Sequence, residues 1–449
     1  MRLALALTIG AAAGLAAATQ PISDTDLWWH LATGRETLAH GFVRTDLFSW
    51  TVRGGPVSTD QWLGQIALYG AYALASWWGI ALVRVIAVVA LVALVVWNAS
   101  IGGVRRPAAL ALAALPALIE TRVLWVDRPE LLGLVCFAAL LPLLRLGRSG
   151  NTRALGACVA LVLAWANVHG SFALGAVLVW VSCAEGALRD IARRRVYLTT
   201  ALATAIASIV TPAGLGTWTA PGFHFLTPPR DIQEWALIDP ATPLGVAYLV
   251  TLALVVLVLF RGPRPDAREL VILLPVALLS LTAVRQAPLL AIVAAPLFAR
   301  AVDALLPAAA SGTASRARWV FLAGAAALFV LSLGILPREP DERSYPVAAL
   351  TSLPNGDGTL ARYEWGGWLI WRAPATPVFI DGRLTPYLGS VLDDYRRIIS
   401  AAPGWEEALA RRRVRTLLVT PEDPVTVRAQ ELGWRVIARS ARSVLIAVP

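Results

Sequence analysis

Apolar residues recur along the first three-quarters of the chain in runs of 15 to 19 residues, separated mostly by short polar segments. Runs of that length approach the roughly 20 residues a membrane-crossing helix needs, and they are too long for strands. They predict eleven transmembrane helices, over 3–19, 80–98, 107–121, 129–145, 154–168, 172–187, 196–211, 243–260, 269–284, 286–302 and 319–336. Ala16-Ala17-Ala18 in the first run resembles a signal-peptide cleavage site. The many runs that follow favour an uncleaved first helix. The stretch Gln61–Trp78 is shorter and more amphipathic, with Gln61, Gln65, Tyr69, Tyr72 and Trp77-Trp78. It reads as a helix lying in the interface.

After residue 336 the pattern changes. Strand signals at Thr359–Tyr363, Val378–Ile380, Thr416–Thr420, Trp434–Ala438 and Ser443–Val448 alternate with helix signals at Tyr387–Ala401, Trp405–Arg412 and Val425–Leu432. Such alternation predicts a small α/β domain. The expected architecture is an α-helical polytopic membrane protein with a small C-terminal extracytoplasmic α/β domain. Residues 1–336 form the membrane domain, which contains a long first outer loop at 20–79, and residues 337–449 form the second domain.

Composition sharpens this division. Hydrophobic residues make up 57% of the chain and charged ones 15%, with a mean hydropathy of +0.64. Soluble domains are about 45–50% apolar and about 25% charged, so an ordinary cytosolic enzyme and a disordered chain are excluded. Residues 337–449 carry 28 charges in 113 positions, as a soluble domain would, against 40 in the first 336. The net charge is +10, and every basic residue is arginine. The arginines form no single patch, which argues against a nucleic-acid partner. They cluster between apolar runs instead. With eleven spans and a cytoplasmic N-terminus, the inner segments hold 16 Arg against 5 acids, and the outer segments before residue 337 hold 7 against 11. That asymmetry is the positive-inside pattern, and it places the C-terminal domain outside a plasma membrane. Cys136, Cys158 and Cys183 each fall inside an apolar run and read as buried thiols.

Under this topology the unusual polar residues collect at outer helix ends. The first loop offers Asp24, Asp26 and His30, and Asp26 to Leu38 reads as a helix with an Asp N-cap and an exit at Gly41. Farther along come Arg122, Asp127, Arg128 and Glu130, then Asn167 and His169, then His224, Arg230, Asp231, Glu234 and Asp239, then Arg285. His40 lies on the same side. Single residues have plain structural explanations: Arg128 can anchor a helix end, Asn167 and His169 can be hydrogen-bonded at one, and Asp24 or Asp26 can be N-caps. Their convergence points to an outward polar cavity, because ionisable groups at membrane depth are costly and usually functional. A carboxylate there can act as general base. Arg128 and Arg285 can bind the phosphate of a leaving group, and His30, Asn167, His169 and Glu234 can line the substrate cavity. Asp381-Gly-Arg383 follows a strand end, where open α/β sheets often bind ligands. A turn salt bridge accounts for it equally well.

The segment Asp24-Thr-Asp-Leu-Trp-Trp-His-Leu-Ala-Thr-Gly-Arg35, with Gln61-Trp62-Leu63, Asn167-Val-His-Gly170, Glu364-Trp-Gly-Gly-Trp368 and Ile380-Asp-Gly-Arg383, resembles a bacterial subgroup of the integral-membrane GT-C glycosyltransferases. The resemblance covers most of the chain and includes the polyprenyl-phosphate-sugar-dependent mannosyltransferases and aminoarabinose transferases. It implies inverting transfer from a polyprenyl-phosphate sugar to a glycan, lipid or protein acceptor on the outer face. It also implies an essential acid in the first loop, Asp24 or Asp26, with Asp24 the candidate base because it lies nearest the first span. A divalent metal, magnesium or manganese, would have Asp26 and His169 as candidate ligands. Several relatives have adjacent acids, whereas Thr25 separates these two. Two other readings are a transporter or flippase, and a membrane scaffold whose outer domain binds partners. The sequence shows no clear internal repeat and few mid-span charges, features that transporters tend to carry.

Overall fold

The computed structural model describes residues 2–227, 233–306 and 314–449, apart from the side chains of His224 and residues 314–317. In chain order the helices are α1 (Arg2–Ala18), α2 (Leu27–His40), α3 (Trp62–Ile101), α4 (Pro107–Thr121), α5 (Pro129–Arg148), α6 (Thr152–Val168), α7 (Phe172–Arg189), α8 (Arg194–Ala207), α9 (Thr219–Leu226), α10 (Pro243–Arg261), α11 (Ala267–Ser280), α12 (Ala287–Leu305), α13 (Ala314–Ile335), α14 (Tyr363–Arg372), α15 (Ser390–Ile399), α16 (Trp405–Arg412) and α17 (Pro424–Glu431). The strands are β1 (Thr359–Ala361), β2 (Thr416–Val419), β3 (Val436–Arg439) and β4 (Val444–Ala447). The chain divides into two compact units, Met1–Gln20 with Trp78–Arg338, and Pro21–Trp77 with Glu339–Pro449.

In the helical unit every one of the eleven apolar runs falls on a helix. Among the described residues, seven helical stretches are long and apolar enough to cross a membrane: Trp62–Ile101, Pro107–Leu124, Pro129–Arg148, Phe172–Arg189, Pro243–Arg261, Val284–Leu305 and Arg318–Ile335. Arg2–Ala18 and Thr152–Val168 are apolar but shorter. α8 and α11 have 14 residues each, a rise of about 21 Å against a hydrocarbon thickness of about 30 Å. Proline sets several helix starts. Pro107, Pro129 and Pro243 occupy the first turn of α4, α5 and α10, where a missing N–H costs nothing. α1 packs on α13, α4 on α12, α5 on α6, and α7 on α8.

The expected break between 61–78 and 80–98 lies inside α3. Ala75 (φ −143°) and Ser76 (φ 55°) leave helical geometry, and the unit boundary follows at Trp77–Trp78. The first-loop segment 21–77 thus belongs to the same unit as the C-terminal residues. Aromatic packing explains that grouping. Trp28, Trp29, Tyr345, Trp365 and Trp368 share one buried cluster with Val378, Leu418 and Leu445. Each buried indole N–H finds an acceptor, as such groups usually do. Trp28 donates to the Tyr345 hydroxyl (2.8 Å), Trp365 to the Ser344 carbonyl (3.1 Å) and Trp368 to Glu342 (3.1 Å).

The sheet order is β1-β2-β4-β3. β1 and β2 are parallel, and the other two pairs are antiparallel. Two sequence expectations change here. Val378–Ile380 is not a sheet strand: Val378 exchanges hydrogen bonds with Phe48 and Trp50 of the first-loop segment (3.0 and 3.1 Å). The stretch Tyr363–Arg372, to which the sequence pattern assigns no element beyond a strand end at Tyr363, is a helix. Its Gly366-Gly367 pair reads as a breaker, yet Gly367 is what lets α14 lie against α2. A Cβ there would stand 2.9 Å from the Thr25 carbonyl oxygen and 3.3 Å from Trp29.

Candidate active site

The first-loop acids open α2. Asp24 Oδ1 accepts the backbone N–H of Asp26 (2.8 Å). Asp26 occupies the N-cap position, but its side chain makes no cap hydrogen bond. Its Oδ1 accepts instead from the Trp29 indole nitrogen (3.1 Å). The N-cap expectation is therefore right in position and wrong in role. The helix leaves at Gly41 (φ 89°), whose N–H bonds the Thr37 carbonyl. Both acids are half-buried. Burial raises the pKa of the Tyr345 hydroxyl, and the neighbouring Asp24, Asp26 and Glu342 carboxylates raise it further. That tyrosine therefore stays protonated beneath them.

The Asp381-Gly-Arg383 turn supports this pair. Asp381 is fully buried. It accepts from Arg383 N–H (3.0 Å), Nε (2.8 Å) and Nη2 (2.5 Å), and from the Tyr387 hydroxyl (2.5 Å). Arg383 also pairs with buried Asp46 at 2.7 Å and lies over the rings of Phe48 and Tyr387. Burial would lower the Arg383 pKa, but the Asp381 carboxylate outweighs it, and the net shift is upward. Asp46 is itself held in a turn by Ser49 N–H and Oγ (3.0 and 2.6 Å). The turn salt bridge is thus the observed arrangement. Between its two charges sits Gly382, where any Cβ would overlap Asp26 Oδ1. Sequence inspection missed that role, and the only signal for it was a glycine between two charges. His30 is buried. Its ring lies 3.6 Å from that of Trp29, and its Nδ1 is 3.3 Å from Gln65.

A second cluster lies in the helical unit. Pro129 starts α5 and so places Arg128 and Glu130 at the same helix end. Two short 3-10 turns, Gln233–Trp235 and Val284–Gln286, meet there through a Val284 N–H to Ala236 carbonyl bond (3.0 Å). They deliver Glu234 and Arg285. Arg128 contacts both Glu130 (2.9 Å) and Glu234, while Arg285 contacts Glu130 and Glu234 and lies 4.7 Å over Trp235. Two guanidinium forks and two carboxylates thus form one network. Glu130, which the sequence places among the polar residues at outer helix ends without a role, contacts both arginines. His169 ends α6, and its Nδ1 is 2.8 Å from the Ser171 hydroxyl that precedes α7. Asn167 is a hydrogen-bonded helix-end residue, donating to the Leu163 and Val210 carbonyls (2.9 and 3.0 Å). Asp127 pairs with Arg84 at 2.6 Å, both side chains 2% exposed. Arg230, Asp231 and the His224 side chain lie outside the described residues.

The expected site residues therefore fall into two groups. Asp24, Asp26, His30, Asp381 and Arg383 belong to the unit that holds the sheet. Arg128, Asn167, His169, Glu234 and Arg285 belong to the helical unit. Asp26 and His169, the candidate metal ligands, are in different groups. Among the described residues no three His, Cys, Asp or Glu side chains cluster as metal ligands would.

No protein-family model matches the chain, and no curated protein matches it. Solved structures do. The oligosaccharyltransferase of Archaeoglobus fulgidus, tethered to an acceptor peptide containing an NVT sequon, superposes with a TM-score of 0.60 at 13% identity. The same organism's oligosaccharyltransferase AglB, in complex with an inhibitory peptide and a dolichol-phosphate, gives 0.58 at 12% identity. The apo form gives 0.55 at 12%. Each comparison covers 93% of this chain and 69% of the other. AglB is a GT-C glycosyltransferase, and the fold seen here is the GT-C fold that the resemblance implied.

Proposed function

We propose that this protein is a membrane glycosyltransferase that moves a sugar from a polyprenyl-phosphate donor to a glycan, lipid or protein acceptor on the outer face of the plasma membrane, with inversion. The observation that carries it is the Asp24–Asp26 pair at the start of α2, seated on Gly382 in a chain with the GT-C fold. The dolichol-phosphate and acceptor peptide bound by the archaeal proteins support a lipid-phosphate donor and a separate acceptor.

In an inverting transfer the acceptor attacks the anomeric carbon from the face opposite the leaving group. Asp24 takes the acceptor proton as general base; the Asp26 backbone N–H holds the Asp24 carboxylate, and the Trp29 indole orients the Asp26 carboxylate beside it. The bond to the lipid phosphate breaks, and the phosphate leaves with the electron pair. Arg128 and Arg285 receive that developing charge, since guanidinium forks match phosphate oxygens. They sit among carboxylates that keep them extended and oriented before donor arrives. His30, Asn167, His169 and Glu234 shape the substrate sites. The arginine asymmetry supports eleven crossings, a cytoplasmic N-terminus and an extracytoplasmic C-terminal domain.

The test is transfer in proteoliposomes from a labelled polyprenyl-phosphate sugar to a mixture of membrane acceptors. The double variant Asp24→Asn, Asp26→Asn should lose transfer while keeping the wild-type melting temperature. Full activity in that variant would sink the proposal.

A further inference from the structure

Arg128 and Arg285 carry two positive charges, and the Glu130 and Glu234 side chains that contact them carry two negative ones. The four together sum to zero and have no net attraction for a phosphate. One carboxylate must give way before the guanidinium forks can take a donor, and the structure distinguishes the two.

Their contacts are alike. Glu130 bridges Arg128 (2.9 Å) and Arg285, and Glu234 bridges Arg128 and Arg285 (3.6 Å). Their settings differ. Glu130 stands in the first turn of α5, a helix of 20 residues, and its side chain is 11% exposed. Glu234 stands on the three-residue turn Gln233–Trp235, and its side chain is 39% exposed. Withdrawing Glu130 from its cations would strand a buried charge, which is strongly unfavourable. Glu234 already touches solvent, so rotation about its side-chain bonds carries its carboxylate into water without moving the backbone. Glu130 then continues to hold both arginines, whose side chains are only 13% and 16% exposed.

A bridging carboxylate also presents what a lipid-linked phosphodiester presents, namely two oxygens that share one negative charge. Guanidinium forks bind either group bidentately. Exchange of one for the other leaves the summed charge of the site at zero.

We infer, on the phosphate-binding role proposed above for Arg128 and Arg285, that Glu234 is an exchangeable stand-in for the donor phosphate. It occupies the two forks while no donor is bound and swings out as the phosphodiester enters. Glu234 is thus an internal competitor. The apparent donor affinity is lowered to the fraction of molecules in which its carboxylate has swung out. After transfer the same carboxylate competes with the lipid phosphate product for the forks and favours its release.

The probe is the methyl ester of a polyprenyl phosphate, a phosphodiester with the donor's single charge and no sugar. The parent polyprenol is the uncharged comparison. Affinities are measured on the full-length protein in neutral detergent, with melting temperature alongside. Glu234→Gln should bind the phosphodiester about tenfold or more tighter than the wild type, while polyprenol binding stays unchanged. Glu234→Ala should do the same, and it keeps the test open if the glutamine amide oxygen still accepts from the arginines. If the wild type binds the phosphodiester and neither variant binds it more tightly, the stand-in is overturned and the phosphate-binding role of the arginines survives. An equal gain for polyprenol also overturns it, because the gain would then come from easier entry of lipid. If the wild type and both variants melt normally and none binds the phosphodiester, the phosphate-binding role itself fails, and the stand-in with it.

Discussion

Gly382→Ala adds one methyl group, and the structure says where it goes. The new Cβ would overlap Asp26 Oδ1 and would lie 3.2 Å from both Asp26 Cγ and the Trp29 indole nitrogen. Restoring ordinary contact requires the carboxylate to move on the order of 1 Å, and a misplacement of that size costs about 10²-fold in rate. The stability cost of such overpacking is smaller, about 1–3 kcal/mol. The expected signature is a kcat lower by about 10²-fold with KM little changed, in a protein that still folds. Initial rates of transfer from a polyprenyl-phosphate sugar in proteoliposomes, with melting temperature alongside, measure both. Gly70→Ala is the control in the same unit, since nothing lies within 4 Å of a Cβ there. The positioning argument is refuted if Gly382→Ala turns over at the wild-type rate while Asp26→Asn does not.

Two further outcomes follow from the same unit. Arg383→Met leaves the buried Asp381 and Asp46 carboxylates without their shared cation. It should destabilise the protein by about 3–5 kcal/mol in chemical unfolding, and Arg383→Lys should recover only part, because one ammonium cannot reproduce the fork. Asp394 supplies a pH dependence. Burial raises its pKa, but Arg411 (2.6 Å) and Arg412 (2.7 Å) outweigh it and the net shift is downward from 3.8. Its stabilising contribution is thus complete above about pH 4 and is lost as pH falls toward the depressed value. Melting curves between pH 6 and 3 should show a steeper acid-side loss in the wild type than in Asp394→Asn.

How far the sequence could be read depended on how local each signal was. Eleven apolar runs became helices because burial from water, or from lipid headgroups, acts on each stretch by itself. The helix after Asp26, its exit at Gly41 and the strands at Thr359, Thr416 and Val444 were legible for the same reason. Local signals failed at Tyr363–Arg372, where the pattern gave no helix. They also failed at Val378–Ile380, where a strand-like run pairs with Phe48 and Trp50, more than 300 residues earlier.

The sequence by itself thus determined the membrane character, the two compositional regions, the clustering of the arginines between apolar runs and the acids that open α2. Only the tertiary structure grouped residues 21–77 with the C-terminal unit, set Gly382 under Asp26, and tied Arg128 and Arg285 to Glu130 and Glu234. Apolar periodicity and charge are summed along a chain, so they survive in one dimension. A glycine's value, or an arginine's partner, is decided by whatever another segment brings against it, and that becomes visible only when the chain has folded.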